Sequence, residues 1–314
     1  MRKYGITILL LALCLDLFAE GELTAPEYAS GAAEYLKLPI HGDAASRNGA
    51  VTASGDWTSA SRYNPSLIDK VDSLQVVATY TLMTLDRKLV SFDLAHPVGG
   101  YTVLGASFTM FTILGFDARD SIGIPAGSFN DRENAVSLSA AGRFIGGISG
   151  GLTLRYLIQQ LESEKANGLG IDLGACYAPL PWLNTGISAC NLLSWMWWST
   201  GRRDQVLPLV RAGIAGILFD SSLAIEIDGE KTIKQPVEIA GSISYEFFGI
   251  ISLKAGGRTG IDVRDISYRP PDFSCGLGFH YKSFGFVYGL RIPGSELGLA
   301  HTFTLTAVIP TLNE

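Results

Sequence analysis

Few residues in this chain have types and spacing that could do chemistry. Gly147-Ile148-Ser149-Gly150-Gly151 has the spacing of a nucleophile elbow, which presents a serine on a sharp turn between a strand and a helix. Leu152 to Leu157 instead continues as an alternating strand with Leu152, Leu154 and Tyr156 on one face, so the required helix is missing. The acid pairs Asp117/Asp120 and Asp131/Glu133 could bind a divalent cation, but they fall in the longest expected loop, where solvation accounts for them more simply. His41, His96, His280 and His301 are scattered without ligand spacing. The sequence therefore predicts no enzyme, no metal site and no cofactor.

The elements that would position any site are strands. From residue 74 the dominant signal has period 2. Val237, Ile239, Ile243, Tyr245 and Phe247 share one face, opposed by Glu238, Ser242, Ser244 and Glu246. Leu169, Ile171, Leu173, Ala175 and Tyr177 oppose Gly170, Asp172 and Gly174, and Phe303, Leu305, Ala307 and Ile309 oppose Thr302, Thr304 and Thr306. Fourteen candidate strands follow, near 74–84, 88–95, 100–111, 133–142, 147–157, 169–178, 185–194, 209–219, 222–228, 236–247, 250–258, 273–283, 284–292 and 298–310. Runs of about ten residues suit a tilted strand crossing a bilayer, and an even number can close with every edge paired.

The connections sort by length. Those after the even-numbered strands are short: His96 to Gly99, Arg143 to Gly146, Pro179 to Asn184, Asp220-Ser221, Phe248-Gly249 and a turn at Ser283. The others are mostly longer: Thr112 to Arg132, Ile158 to Gly168, Ser194 to Pro208, Gly229 to Gln235, Thr259 to Asp272 and Pro293 to Leu297, with Leu85 to Arg87 the exception. Short periplasmic turns and long extracellular loops are a property of bacterial barrels, whereas a soluble sandwich has no reason to sort its loops. The fold expected is all-β, a transmembrane antiparallel barrel of about fourteen strands.

Composition agrees. Mean hydropathy is +0.25, charged residues make up only 17%, and no run after residue 20 is long and apolar enough for a spanning helix. The net charge of −6 argues against a nucleic-acid partner. Arg2 and Lys3, the apolar run Tyr4 to Leu15 and Leu17-Phe18-Ala19 read as a cleavable export signal over 1–19. Cys176 and Cys190 flank the Pro179-Leu180-Pro181-Trp182 turn and share a face by parity. They are readable either as a cross-strand bridge or as small apolar residues of the wall.

Between the signal and the first strand, Tyr35 to Leu67 is too polar and too rich in Gly, Ala and Ser for a core helix or a buried strand. Its YLKLP opening, Gly-Asp-Ala-Ala run, Gly-Ala-Val stretch, Asp56-Trp57 step and closing Asn64-Pro65-Ser66-Leu67 resemble the start of mature FadL-like outer-membrane proteins. That superfamily includes long-chain fatty-acid transporters and the smaller PorV-like barrels. Ser66 and Leu67 replace the second half of the family's Asn-Pro-Ala-Gly motif. The resemblance continues through GGLTLRYLIQQLESEKANGLGIDLGACYAPLPWLNTGISACNLL and the closing LGLAHTFTLTAVI, although the chain then runs on through Pro310 to Glu314 instead of ending on an aromatic residue. It implies three parts: a signal (1–19), a hatch folded into the lumen (20–73) and the barrel (74–314). Asp56, Trp57, Asn64 and Pro65 are the hatch residues it singles out.

The polar strand faces, with Arg155, Glu226, Lys254 and His280, are expected to line the lumen. Arg155 and Lys254 are the candidates to hold the carboxylate of an amphipathic ligand. Trp195, Met196, Trp197 and Trp198 in Ser194 to Asp204, with Arg202-Arg203 after them, read either as part of an interfacial aromatic belt or as a landing site for a hydrophobic ligand. In the transporters, loops after the fifth and seventh strands form such a groove, and only the second matching loop is apolar here. The resemblance implies passive uptake of hydrophobic molecules, with long-chain fatty acids as the substrate class, in the outer membrane of a diderm bacterium. Its partners would be those molecules and membrane lipid, and exit would follow hatch movement or a gap in the wall. The alternatives are a PorV-like scaffold or adaptor for envelope secretion, with protein partners, and a surface antigen.

Overall fold

The structure is a computed structural model that describes residues 31–55, 57–144, 146–262, 267–268, 270–294 and 298–310. The export signal, Asp56 and the last four residues lie outside the described residues.

The strands are β1 (Leu74–Met83), β2 (Arg87–Val98), β3 (Thr102–Arg119), β4 (Pro125–Arg143), β5 (Ile148–Leu161), β6 (Glu164–Leu180), β7 (Leu183–Trp198), β8 (Arg203–Gln205), β9 (Leu209–Leu218), β10 (Leu223–Thr232), β11 (Val237–Phe247), β12 (Ile251–Asp262), β13 (Ser267–Tyr268), β14 (Asp272–Tyr281), β15 (Phe284–Ile292) and β16 (Ala300–Ile309). Short β8 and β13 sit off the main ring, as β8 pairs only with β7 and β13 only with β12. The remaining fourteen form a closed antiparallel barrel. β1 closes it against β16, from Leu74 opposite Ile309 to Met83 opposite Ala300. The polar backbone groups at the seam thus find partners within the sheet, as a spanning structure requires.

The barrel is inside out relative to a soluble protein. Leu173, Ile243 and Leu305 are 48%, 46% and 61% exposed, whereas their polar neighbours Asp172, Ser242 and Thr304 are buried against the lumen contents. A belt of exposed aliphatic and aromatic side chains around a whole sheet is stable only against lipid. All six short turns, or the strand ends beside them, carry an exposed aromatic: Tyr101, Phe144, Trp182, Phe219, Phe248 and the Tyr281/Phe284 pair. Amphipathic rings at one level of a barrel mark a membrane–water interface. The Leu173→Arg substitution should therefore cost about 2–4 kcal/mol, depending on depth, in refolding titrations of the barrel into lipid vesicles.

At the opposite end, three of the expected loops are largely strand. Thr112 to Arg132 is occupied by the upper parts of β3 and β4, with a turn at Asp120 whose carboxylate accepts Ile122 N–H (3.0 Å) and Ile124 N–H (2.9 Å). β5 and β6 meet at a turn of two residues between Leu161 and Glu164, and β7 runs to Trp198 before β8 folds back on it. Alternation fades there because the strands stand beyond the lipid, so neither face needs to be uniformly apolar.

Cys176 and Cys190 are buried free thiols. They are not cross-strand neighbours: Cys176 lies opposite Gly186 on β7, while Cys190 lies opposite Leu209 on β9. The tight turn that pairs Leu180 with Leu183 sets this register, placing Cys190 four residues beyond Gly186 on β7, while both thiols face the lumen as parity expects.

Candidate functional site: the hatch seat and the upper lumen

The segment from Gly31 to Asp72 fills the lumen. It starts at the long-turn end, where Ala32 N–H donates to Gln205 O (3.1 Å), and leaves at the short-turn end, where Asp69 pairs with Arg143 (3.1 Å). Its helical turn Gly42–Ser46 and three 3-10 turns satisfy much of its backbone locally, and side chains and carbonyls of the wall take Ala32, Gly42, Val51, Thr52, Ala53 and Thr58 N–H between them. From Ile40 to Ile68 almost every described residue is buried.

Three features seat it. The first is steric. Gly151 and Gly174 face the Asn64-Pro65 corner, Gly186 faces Thr52, and Gly276 faces Ser46; a Cβ at any of them would overlap the hatch. At Gly256 and Gly289 a Cβ would lie 2.5 Å from Arg47 C and 2.6 Å from Gly42 O. These wall glycines admit the hatch backbone to contact distance.

The second is the Asn64 corner. Asn64 Nδ2 donates to Thr52 O (3.0 Å), Ala175 O (3.2 Å) and Cys176 Sγ (3.1 Å), while Oδ1 accepts Ser66 N–H (3.1 Å). One amide side chain thus ties two parts of the hatch to β6, and Pro65 opens the following turn. Trp57 is buried and stacks on His41 at 5.0 Å between ring centroids.

The third is charge. Arg47, on the hatch, donates to Glu226 (2.7 Å), Asp43 (3.3 Å), Ser54 (2.6 Å) and Ser242 (3.1 Å). Glu226 also accepts Ala53 N–H (2.6 Å), and Asp228 accepts Val51 N–H and Thr52 N–H, both at 2.9 Å. Lys254 pairs with Asp43, Arg62 with Asp93 (3.3 Å), and Arg258 donates to Asn48 O (3.1 Å) and pairs with Glu238 (2.8 Å). Burial alone would raise the Asp43 carboxyl, but Lys254 and Arg47 reverse it and hold the group well below the usual carboxylate range. Burial pushes the His41 imidazole down to about 3, so the ring is neutral and its Nδ1 accepts Asp43 N–H (3.1 Å).

The two cations singled out for a ligand carboxylate both have partners. Lys254 holds Asp43 of the hatch; Arg155 binds Asp172 and Asn191 Oδ1 (2.9 Å), and Asp172 in turn accepts Asn191 N–H (2.7 Å) at the β7 bulge. Ser149, from the elbow-like sequence, starts β5 and donates to Asp69 of the hatch tail.

Above the polar seat the lumen turns apolar. Leu89, Phe111, Ala135, Leu157, Ala166 and Met196 point inward from β2 to β7 and bury against Ala33, Tyr35 and Ile40 of the hatch. Met196 therefore belongs to this chamber, with Trp198 packed against it and Trp198 Nε1 donating to Asp204 (2.7 Å). Trp197 is exposed, and the Arg203 guanidinium lies over the Trp195 and Trp197 rings, 4.4 and 5.8 Å from their centroids. The tryptophan stretch thus divides by parity: Met196 and Trp198 face the chamber, and Trp195 and Trp197 face outward. At the opposite mouth a cavity of about 630 Å³ is lined by the hatch tail at Asp69–Asp72, the Tyr101 turn and Arg143-Phe144.

Sequence reasoning placed Glu226 in the lumen but missed Arg47, which pairs with it, and the wall glycines as a set. Inward parity of Gly151, Gly174, Gly256 and Gly276, where a polar residue is expected, was the available signal.

No family model and no curated protein sequence matches the chain. Among solved structures it is similar to the Pseudomonas putida toluene transporter TodX, at 12% identity and a TM-score of 0.62 over 86% of this chain and 97% of that one. The CymD monoaromatic hydrocarbon channel matches at 12% identity and 0.59 over 87% and 98%. A Pseudomonas aeruginosa FadL homologue matches at 10% identity and 0.58 over 87% and 99%. The chain has the FadL-like fold: fourteen antiparallel strands closed around an N-terminal hatch.

Proposed function

We propose that the protein is an outer-membrane channel for passive uptake of hydrophobic small molecules. The observation that carries this reading is the apolar chamber at the long-turn end of an otherwise polar lumen, set beside a tryptophan-rich ribbon. A hydrophobic molecule entering at this end would meet inward Leu, Phe and Met side chains once Tyr35 and Ile40 of the hatch move aside. The same fold serves as a toluene transporter and a monoaromatic hydrocarbon channel in TodX and CymD. The hatch closes the path at rest, seated by buried ion pairs as well as by apolar contacts to the wall.

Long-chain fatty acids are the substrate class that the family resemblance implies, with Trp195, Met196, Trp197 and Trp198 as the landing and entry residues. In that reading a carboxylate reaches Lys254 or Arg155 only by exchange with Asp43 or Asp172. The number of ties on the hatch favours a second reading, a PorV-like scaffold that holds envelope proteins and never opens. Titration of the refolded barrel with a fluorescent long-chain fatty acid separates the two. Uptake predicts saturable binding that weakens about tenfold or more in a Trp195/Trp197/Trp198→Ala variant of unchanged heat-modifiability. No saturable binding to a folded barrel favours the scaffold.

A further inference from the structure

The chamber wall carries polar groups that the hatch leaves unpaired. Phe111 on β3 lies opposite Glu133 on β4, Thr109 lies opposite Ala135, and Ser137 lies opposite Arg155 on β5. All point into the lumen and all are nine-tenths or more buried. Among the described residues, Thr109 Oγ1, Ser137 Oγ and Arg155 Nε have no hydrogen-bond partner, and neither does the hydroxyl of Tyr35, which packs against the same face. Glu133, 8% exposed, makes no ion pair among the described residues. The charged groups that face it are Asp131 and Glu34, both acids. Buried polar groups are normally paired, so a cluster of orphans on one face calls for a partner.

Tyr35 indicates the shape of that partner. Its ring lies flat on Phe111, with centroids 5.6 Å apart and planes 4° from parallel, and it is 3% exposed. It is a phenol on the hatch's opening turn, set in an apolar chamber beside the Glu133 carboxyl. We propose that the inward face of β3, β4 and β5 behind Tyr35 binds a compact apolar ring bearing a hydrogen-bond donor, and that Tyr35 occupies this site as a built-in stand-in until such a ligand displaces it. The inference rests on the uptake reading but not on fatty acids as cargo. In either protonation state Glu133 offers an acceptor oxygen to a hydroxyl or amino group. A ligand carboxylate would bring a further acid beside Glu133, Asp131 and Glu34, while the guanidinium of Arg155, on the adjoining strand, is neutralised by Asp172. A plain hydrocarbon would fill the chamber and leave the orphans unpaired.

The test is calorimetric titration of the refolded full-length barrel with 4-methylphenol, toluene and 4-methylbenzoate. The phenol should bind about tenfold or more tightly than either of the others. Glu133→Met should reduce that preference to about threefold or less, and Glu133→Gln should admit 4-methylbenzoate. Tyr35→Ala should tighten 4-methylphenol binding about fivefold or more by removing its competitor, whereas Tyr35→Phe, which keeps the ring, should not. Equal binding of the three probes overturns the proposal. So does a Tyr35→Ala variant, with its hatch as protease-resistant as wild type, that binds the phenol no better. If none of the three binds but the fluorescent fatty acid does, the proposal falls and the uptake reading stands. If nothing hydrophobic binds, both fall.

Discussion

Replacing Glu226 by alanine should unseat the hatch while leaving the barrel closed. The substitution removes the carboxylate nearest to the buried Arg47 guanidinium (2.7 Å) and the acceptor of Ala53 N–H (2.6 Å) in one step. Breaking one side of a buried pair costs about 3–5 kcal/mol, because the remaining charge stays desolvated. That loss falls on the hatch, since no strand pairing passes through the Glu226 side chain. A cost of about 3 kcal/mol raises the unseated population more than a hundredfold. Cleavage by an added protease between Ile40 and Ile68 should rise accordingly, with heat-modifiable mobility of the barrel unchanged. Glu226→Gln, which keeps an acceptor for Ala53 N–H, should fall between wild type and alanine. Equal protease resistance in all three would show that the charge cluster does not hold the hatch.

The second large effect is steric. At Gly174 a Cβ would overlap Asn64 Oδ1 and lie 2.8 Å from Pro65 Cδ. Gly174→Val therefore excludes the Asn64-Pro65 corner from its seat on β6, because neither the proline ring nor the wall backbone can move aside. The hatch should become protease-accessible at least as strongly as in Glu226→Ala. Gly216→Val is the matched control: nothing lies within 4 Å of that Cβ, so the hatch should stay protected. Similar protection of both variants would contradict the seating described here. Comparable damage to barrel refolding by both would mean that the strand, not the hatch, needs the glycine.

The two variants also mark how far the sequence could be read. Strand positions within the lipid were legible because a sheet wetted by lipid outside and polar groups inside must alternate, as Leu173 and Asp172 do. Above the lipid that constraint lapses, and the extensions of β3, β4 and β7 were read as loops. Asn64 and Pro65 stood out only through the family resemblance; their contacts run both to the neighbouring hatch and to Ala175 and Cys176 on β6. Arg47 could not be matched to Glu226 or Asp43 to Lys254, because partners almost 180 or more than 200 residues apart leave no mark in spacing. Reading Ser194 to Pro208 as a loop hid the division of the tryptophan stretch; the two left-handed residues Asn191 and Leu193 each shift the β7 register by one, so Ser194 and Met196 face inward as Ser188 and Cys190 do.

The most direct test of the central claim is uptake itself. A hydrophobic fluorescent probe would be followed into cells of a diderm host stripped of its own hydrophobe channels and expressing this barrel or its Glu226→Ala variant at equal surface levels. A channel closed by its hatch predicts saturable accumulation above empty cells for the wild type and faster entry when the hatch is loosened. Accumulation no greater than in empty cells, for both proteins correctly folded in the membrane, would contradict it.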